Sequence, residues 1–149
     1  MKKVFLALAA LVISSPVFAA APDCTKFNMQ ISYNAMEPIR DILAGKITAS
    51  TRMYSDRCEK DGQTLEVTLS TDPVDAAGKR KPQARIRLTK VTGRLPFSAL
   101  TDAMAKQQAQ ANAAALRTFL TGIYGKDKEG KEVDLSKETF THIEFQLVR

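Results

Sequence analysis

The alternation in residues 63–71, QTLEVTLST, decides the fold class of this chain. Every second residue from Leu65 to Leu69 is apolar and its neighbours are polar, which is the period of a β-strand that buries one face. The preceding pair Asp61-Gly62 favours a hairpin turn, because both residue types readily take the positive φ angles of a tight turn. We therefore predict a hairpin whose first arm lies within residues 46–59, in a register that the sequence leaves open.

Two later stretches alternate in the same way. Ala84, Ile86 and Leu88 are predicted to share one face of a third strand, and residues 141–149, THIEFQLVR, predict a fourth. The register of this last strand puts His142 on the polar side, facing solvent.

Two stretches have helical character. Residues 34–44, NAMEPIRDILA, predict a short helix that begins near Glu37, because proline is tolerated only in the first helical turn. Residues 98–122 are rich in alanine and predict one long helix, capped by its first serine and ended by a glycine at position 122 or 125. Its glutamines are expected to face water, and a coiled-coil seam with a second chain is the alternative to packing on the core.

These elements predict an α+β fold. We expect an antiparallel sheet of about four strands, with the long helix packed on its apolar face and a short N-terminal helix, in the order α-β-β-β-α-β. Because the chain contains neither an internal repeat nor a linker, residues 20–149 are predicted to form a single globular domain.

The N-terminus has the three parts of a secretory signal peptide: two lysines, an uncharged apolar run, and small residues. The apolar run is about half as long as the roughly 20 residues that a spanning helix needs. We predict that residues 1–19 are removed by cleavage after Ala19. Cys24 follows Ala-Pro-Asp rather than a short apolar triplet, so we expect a released protein and no lipid anchor.

The brevity of the signal favours a Gram-negative bacterium and a periplasmic location, with no transmembrane anchor in the mature chain. The whole chain carries a net charge of +6, and loss of the two N-terminal lysines leaves 20 basic against 16 acidic residues. This mild excess, together with export, leads us to expect no nucleic-acid partner.

Cys24 and Cys58 are the two cysteines of the chain. In an oxidising compartment an even count implies pairing, and two cysteines allow a single intramolecular bridge. Closing a loop of this length should stabilise the fold by about 4 kcal/mol. A redox-active pair is disfavoured, because such cysteines usually lie two residues apart.

No catalytic residue is assigned from the sequence, and whether the protein is an enzyme stays open, with a non-enzymatic role favoured. A lone surface histidine, His142, is a weak candidate for a general base. With one histidine and two paired cysteines, neither a metal nor a cofactor is expected. Residues 125–136 resemble a calcium loop only superficially, because glycine and serine stand where carboxylates must anchor the ion.

Residues 79–94 are the one anomaly of composition, with seven cations and no acid. One interpretation is a solvated strand face whose arginines pair with acids such as Glu66 or Glu144 on neighbouring strands. The other is a surface for an anionic partner. The candidate residues are Lys79, Arg80, Lys81, Arg85, Arg87, Lys90 and Arg94.

From these observations we expect a small exported module that binds a protein partner in the cell envelope, of the inhibitor or immunity type or an accessory of an envelope machine. One alternative is a binder of anionic envelope components, such as lipid phosphate or a polyanionic glycan, through residues 79–94. A second alternative is a hydrolase whose site the sequence does not reveal.

Overall fold

The computed structural model describes residues 23–53 and 57–149. In chain order its strands and helices are β1 (Gln30–Tyr33), α1 (Met36–Leu43), β2 (Ala49–Met53), β3 (Thr64–Leu69), β4 (Pro82–Pro96), α2 (Asp102–Lys106), α3 (Ala113–Tyr124) and β5 (Thr139–Leu147). Three short 3-10 turns complete this part of the chain, at Cys24–Lys26, Phe97–Ala99 and Leu135–Lys137. The signal peptide and the cleavage site predicted from the sequence lie outside the described residues.

The fold is α+β, and its sheet has five strands in the order β1-β3-β4-β5-β2. β1 runs parallel to β3, with Ile31 opposite Val67, and the other three pairings are antiparallel. The prediction of four antiparallel strands was therefore wrong. It omitted β1, which has only four residues and too little alternation to be recognised.

The predicted hairpin between residues 46–59 and 63–71 was also wrong. β2 pairs with the C-terminal strand β5, and β3 pairs with β1 and β4. The turn signal is real, since Gly62 has a φ of +81°. Its amide donates to the carbonyl of Leu88 in β4, so this turn leads into β3 without joining two paired strands.

Arg52 connects the two outermost strands of the sheet. Its Nη2 donates to the carbonyl of Ser32 in β1 at 3.1 Å, and its guanidinium lies 4.8 Å from the centre of the Tyr33 ring. Because Arg52 belongs to β2, at the opposite end of the strand order, the sheet curls towards a barrel.

One face of the sheet, the inner face, carries the larger apolar core. α1 was predicted correctly, and its Ile39 and Ile42 are buried against this face. The helix predicted to cover the apolar face was the later one, and the structure puts the short N-terminal helix there instead. The core residues are Ile31, Ile39, Ile42, Leu65, Val67, Ile86, Leu88, Ile143 and Phe145.

The opposite, outer face is covered at one end only. There α2 and α3 form a second apolar core, in which Leu116 and Leu120 pack with Phe140 of β5. The rings of Phe97 and Tyr124 lie 5.6 and 6.3 Å from the Phe140 ring. The rest of the outer face, along β3 and β4, carries charged side chains.

The long helix predicted over residues 98–122 is two helices. The Thr101 hydroxyl caps α2, and Asn112 caps α3 by accepting from the amide of Ala115 at 2.9 Å. Between them, Ala109 has a φ of +57°, which no regular helix contains. The serine at position 98 lies in a 3-10 turn and caps neither helix, whereas Gly125, one of the two glycines predicted to end the helix, ends α3.

The disulfide prediction is confirmed: Cys24 and Cys58 are bridged, with their Cα atoms 5.4 Å apart. This links the segment before β1 to the segment before β3. Within residues 23–53 and 57–149, no helix is both long and apolar enough to cross a membrane.

Candidate functional site

A small β-ribbon projects between β3 and β4. Val74 and Arg80 form an isolated bridge, and the amide of Asp75 donates to the carbonyl of Lys79 at 2.7 Å. The Asp75 carboxylate accepts from the amides of Ala77 and Lys79, which closes the turn. Gly78 supplies the required positive φ of +75°. The segment between β3 and β4 thus has a defined shape.

Gln30 of β1 holds this ribbon in place. Its Oε1 accepts from the amide of Arg80 at 3.0 Å, and its Nε2 donates to the carbonyl of the same residue at 2.8 Å. This pair of bonds reproduces the pairing of a neighbouring strand. The Nε2 also donates to Oε2 of Glu66 at 3.0 Å, so one side chain joins β1, β3 and the ribbon.

A groove of about 460 Å³ lies between the ribbon and the sheet. Three cations and two carboxylates line it, and none of its lining residues is aromatic. Lys79 and Lys81 are exposed, and the Arg80 guanidinium is oriented by a bond from its Nε to the carbonyl of Asp72 at 3.1 Å. The lining residues are Gln30, Glu66, Pro73, Val74, Asp75, Lys79, Arg80, Lys81 and Pro82.

The groove opens onto the uncovered part of the outer face. Arg85 lies opposite Glu66, with Nη2 3.8 Å from the Glu66 Oε1 and with 65% of its side chain exposed. Arg87 lies between Thr64 and Gln146 and is exposed, and Lys90 lies opposite Glu144. We call this surface the basic face, made of Lys79, Arg80, Lys81, Arg85, Arg87 and Lys90.

Arg94, the seventh cation of the predicted patch, is not included in the basic face. It lies beyond Lys90 in the irregular part of β4 between Thr92 and Leu95, where its own φ is +57°. The structure therefore brings six of the seven candidate cations onto one surface. The expected pairing of arginines with acids is found for Arg85 and Glu66, at a distance that leaves the guanidinium largely in water.

His142 is not at the surface: only 1% of it is exposed. The predicted register of β5 is right, but the outer face is covered at this point, so the solvent position assigned to His142 was wrong. The segment that covers it follows α2, and its Gln107 and Gln108 were expected to face water. Both are instead directed at the sheet.

A directed chain of hydrogen bonds surrounds His142. The Gln107 amide nitrogen donates to Glu144 at 3.0 Å, which fixes the Gln107 Oε1 towards the histidine Nε2, 3.0 Å away. Nε2 therefore carries the proton, and Nδ1 accepts from the Thr51 hydroxyl at 2.9 Å. Gln108 completes the network by donating to Thr51 Oγ1 at 2.8 Å and accepting from the Thr51 amide at 2.7 Å.

Burial lowers the pKa of His142 below its ordinary value of 6.5; Glu144 acts in the opposite direction and Lys90 adds to the lowering. A neutral, fully hydrogen-bonded imidazole fixes α2 to the sheet and has no access to a substrate. Gln107 and Gln108 went unrecognised in the sequence. The signal that could have found them is Asn112, a residue type that caps helices, in the middle of the supposed long helix.

The described part of the chain holds no group of three or more His, Cys, Asp or Glu side chains placed to bind a metal ion. The candidate site is the basic face and its groove, because cations gather there around a cavity of about 460 Å³.

Comparison with known proteins shows what fold surrounds this site. The chain is similar to the ASCH domain of Lactobacillus crispatus JV V101, with a TM-score of 0.53 and 17% identity over 79% of this chain and 77% of that one. It is also similar to a DUF984 protein of Enterococcus faecalis V583, with a TM-score of 0.54 and 16% identity over 73% of this chain and 65% of the other. The hypothetical protein PH0355 gives a TM-score of 0.54 and 16% identity over 80% of this chain and 97% of that one.

No family model matches the sequence, and no curated protein matches it. At 16–17% identity the three structures establish the fold alone, which is ASCH-like.

These comparisons correct the functional interpretation made from the sequence. That interpretation was an envelope module binding a protein partner, with an envelope-anion binder and an unrecognised hydrolase as alternatives. It was wrong, because the chain has the fold of the ASCH domain and of a DUF984 protein, which none of those assignments took into account. It had been reasoned in part from the absence of motifs, and at 16–17% identity the similarity of fold was not recognised in the sequence.

Proposed function

We propose that this chain is an ASCH-like domain that binds a single strand of nucleic acid by its phosphates on the basic face. The observation that carries the proposal is that the cationic groove of Lys79, Arg80 and Lys81 opens directly onto an uncovered sheet face bearing Arg85 and Arg87. This departs from the expectation of no nucleic-acid partner, which rested on the mild net charge and on export; the proposal gives more weight to how the cations are arranged around the groove.

The extent of the basic face favours a polymer over a small anion. From Lys81 to Lys90, along β4, the protein chain extends over about 30 Å at the usual rise per residue of a β-strand. A single phosphate compound would fill the groove and leave Arg87 and Lys90 unused. A strand of nucleic acid, whose phosphates repeat along its length, contacts all six cations at once.

The absence of aromatic side chains from the groove determines how the strand is held. Single-strand binders that stack bases use aromatic platforms, and this groove offers cations without one. We therefore expect contacts to the backbone, weak preference for base sequence, and an affinity that falls steeply with salt.

The test is fluorescence anisotropy of a labelled oligouridylate between about 50 and about 200 mM salt. The double variant Arg85→Ser/Arg87→Ser should bind more weakly. Its slope of log K against log salt should be smaller in magnitude by about 1.4, because each phosphate that a cation neutralises accounts for about 0.7. The matched control is Lys128→Ser/Lys131→Ser, which removes the same charge from the exposed loop after α3 and should leave the slope unchanged.

Absence of binding to RNA and DNA at the lowest salt would overturn the proposal. So would equal slopes for the wild type and the arginine double variant.

We also propose that the protein is exported to the periplasm, with residues 1–19 removed. The Cys24–Cys58 bridge supports this, because structural disulfides persist in oxidising compartments. Mass spectrometry of the protein from an osmotic-shock fraction should find a chain that begins at Ala20 and has no free thiol. A chain recovered from the cytoplasm with its N-terminal Met and two free thiols would contradict export.

A further inference from the structure

Of the two carboxylates that line the groove, Asp75 closes the turn of the ribbon, whereas Glu66 lies where a groove for phosphates should not need it. Glu66 lines the groove together with Lys79, Arg80 and Lys81, and 27% of its side chain is exposed. Its Oε2 accepts from the Gln30 amide at 3.0 Å, and its Oε1 lies 3.8 Å from the Arg85 guanidinium. The hydrogen bond from Gln30 orients the carboxylate.

A fixed carboxylate repels the phosphates that the surrounding cations attract. It is favourable to the ligand only where the ligand presents a hydrogen-bond donor. In a nucleic acid the donors are the edges of the bases and, in RNA alone, the 2′-hydroxyl of the sugar. No aromatic side chain lines the groove to hold a base there, whereas the sugar lies between consecutive phosphates and so necessarily passes the cations.

We infer that Glu66 selects ribose over deoxyribose by accepting a hydrogen bond from a 2′-hydroxyl. This inference rests on the proposed function and specifies its ligand as RNA. Gln30 is the positioning residue, because its side-chain amide donates to one oxygen of the carboxylate at 3.0 Å.

The inference is tested with three labelled strands of one sequence: oligouridylate, oligodeoxyuridylate and 2′-O-methyl oligouridylate. The wild type should bind the RNA about tenfold more tightly than the other two, since a hydrogen bond to a charged acceptor contributes about that factor. The methylated strand keeps the 2′-oxygen but lacks the donor, so it separates hydrogen bonding from the shape of the strand.

Glu66→Leu should bind DNA more tightly, because a negative charge is removed from the groove, and RNA more weakly, because the hydrogen bond to the 2′-hydroxyl is lost, so that the two strands bind equally. The matched control is Glu144→Gln, which removes a charge opposite Lys90 outside the groove; it should raise both affinities and keep the tenfold ratio. Thermal unfolding of each variant verifies that it is folded.

Equal binding of RNA and DNA by the wild type would overturn this inference and leave the nucleic-acid proposal standing, as would a preference for RNA that survives in Glu66→Leu. Failure to bind any of the three strands would overturn the proposed function itself.

Discussion

Arg87 and His142 occupy equivalent positions in two alternating strands and have opposite surroundings. Both lie on the outer face of the sheet, Arg87 in β4 and His142 in β5. Arg87 is exposed, whereas His142 is buried under the segment that follows α2. Alternation specifies which face of a strand a residue occupies; the elements that cover the face decide whether the residue meets solvent or the interior.

The difference between the two regions makes stability and ligand binding depend on different residues. The covered region contributes buried contacts and satisfied hydrogen bonds, so substitutions there should reduce the free energy of unfolding. The open region contributes charge in solvent, so substitutions there should change binding and leave the fold intact. The following predictions test this division, beginning with the largest effect.

Phe140→Ala should lower the free energy of unfolding by about 3–5 kcal/mol, because it removes a fully buried ring and leaves a cavity between α3 and the sheet. Phe119→Ala on α3, where 46% of the residue is exposed, is the control and should cost much less. Urea denaturation measures both. Equal losses would show that the second core is not packed as described.

Gln108→Ala should lower the free energy of unfolding by about 2 kcal/mol, because the buried amide of Thr51 loses its acceptor and the Thr51 hydroxyl loses a donor. Lys106→Ala, at an exposed position in the last turn of α2, should change it by less than about 0.5 kcal/mol. If the two variants unfold at the same urea concentration, the glutamine network does not hold α2 to the sheet.

Stability should fall as the pH is lowered below about 6.5, the ordinary pKa of histidine. The pKa of His142 is lowered by burial, so in this range the unfolded chain binds a proton that the folded chain does not. The stability that neutral His142 contributes is fully present above pH 6.5. It is lost as the pH falls towards the lowered pKa of His142 in the folded chain. The pKa values of Asp23 and Asp134 are lowered from 3.8 by hydrogen bonds, mainly from Thr25 and Ser136 respectively, so their effect lies at more acidic pH.

Unfolding of the wild type and of His142→Gln, followed between about pH 4.5 and pH 7, isolates this contribution. The pH dependence should be weaker in the variant. An identical dependence in both proteins would mean that the folded and unfolded chains bind the proton of His142 equally, so that burial does not lower its pKa.

Arg85→Ser and Arg87→Ser should each change the free energy of unfolding by less than about 0.5 kcal/mol, because both side chains are exposed and the one ion pair of Arg85 is long and solvated. A loss comparable to that of Gln108→Ala would contradict the division between the two regions.

The sequence predicted those elements whose periodicity is long and clear. α1, β4 and β5 are present, β3 lies where its alternation placed it, and the disulfide is formed. Alternation does not specify which strands pair. β2 and β5 are separated by most of the chain, and only tertiary packing brings them together.

The break between α2 and α3 was missed for a different reason. Alanine and glutamine are good helix formers, so intrinsic propensity predicts a continuous helix. The structure interrupts it because Gln107 and Gln108 form hydrogen bonds to buried groups of the sheet, and because the Gln107 carbonyl accepts from the amide of Thr48 at 2.8 Å. Tertiary contacts also shape the basic face. Its cations were visible in the sequence, but the ribbon that forms the groove was not.

The contact of Arg52 with Ser32 has a consequence for how this protein behaves at high concentration. Unpaired strand edges are templates on which a second molecule can add a strand, and they are a common start of aggregation. By bringing β1 and β2 together, Arg52 occupies a carbonyl that a foreign strand would need. An Arg52→Ala protein should therefore remain folded when dilute and self-associate when concentrated.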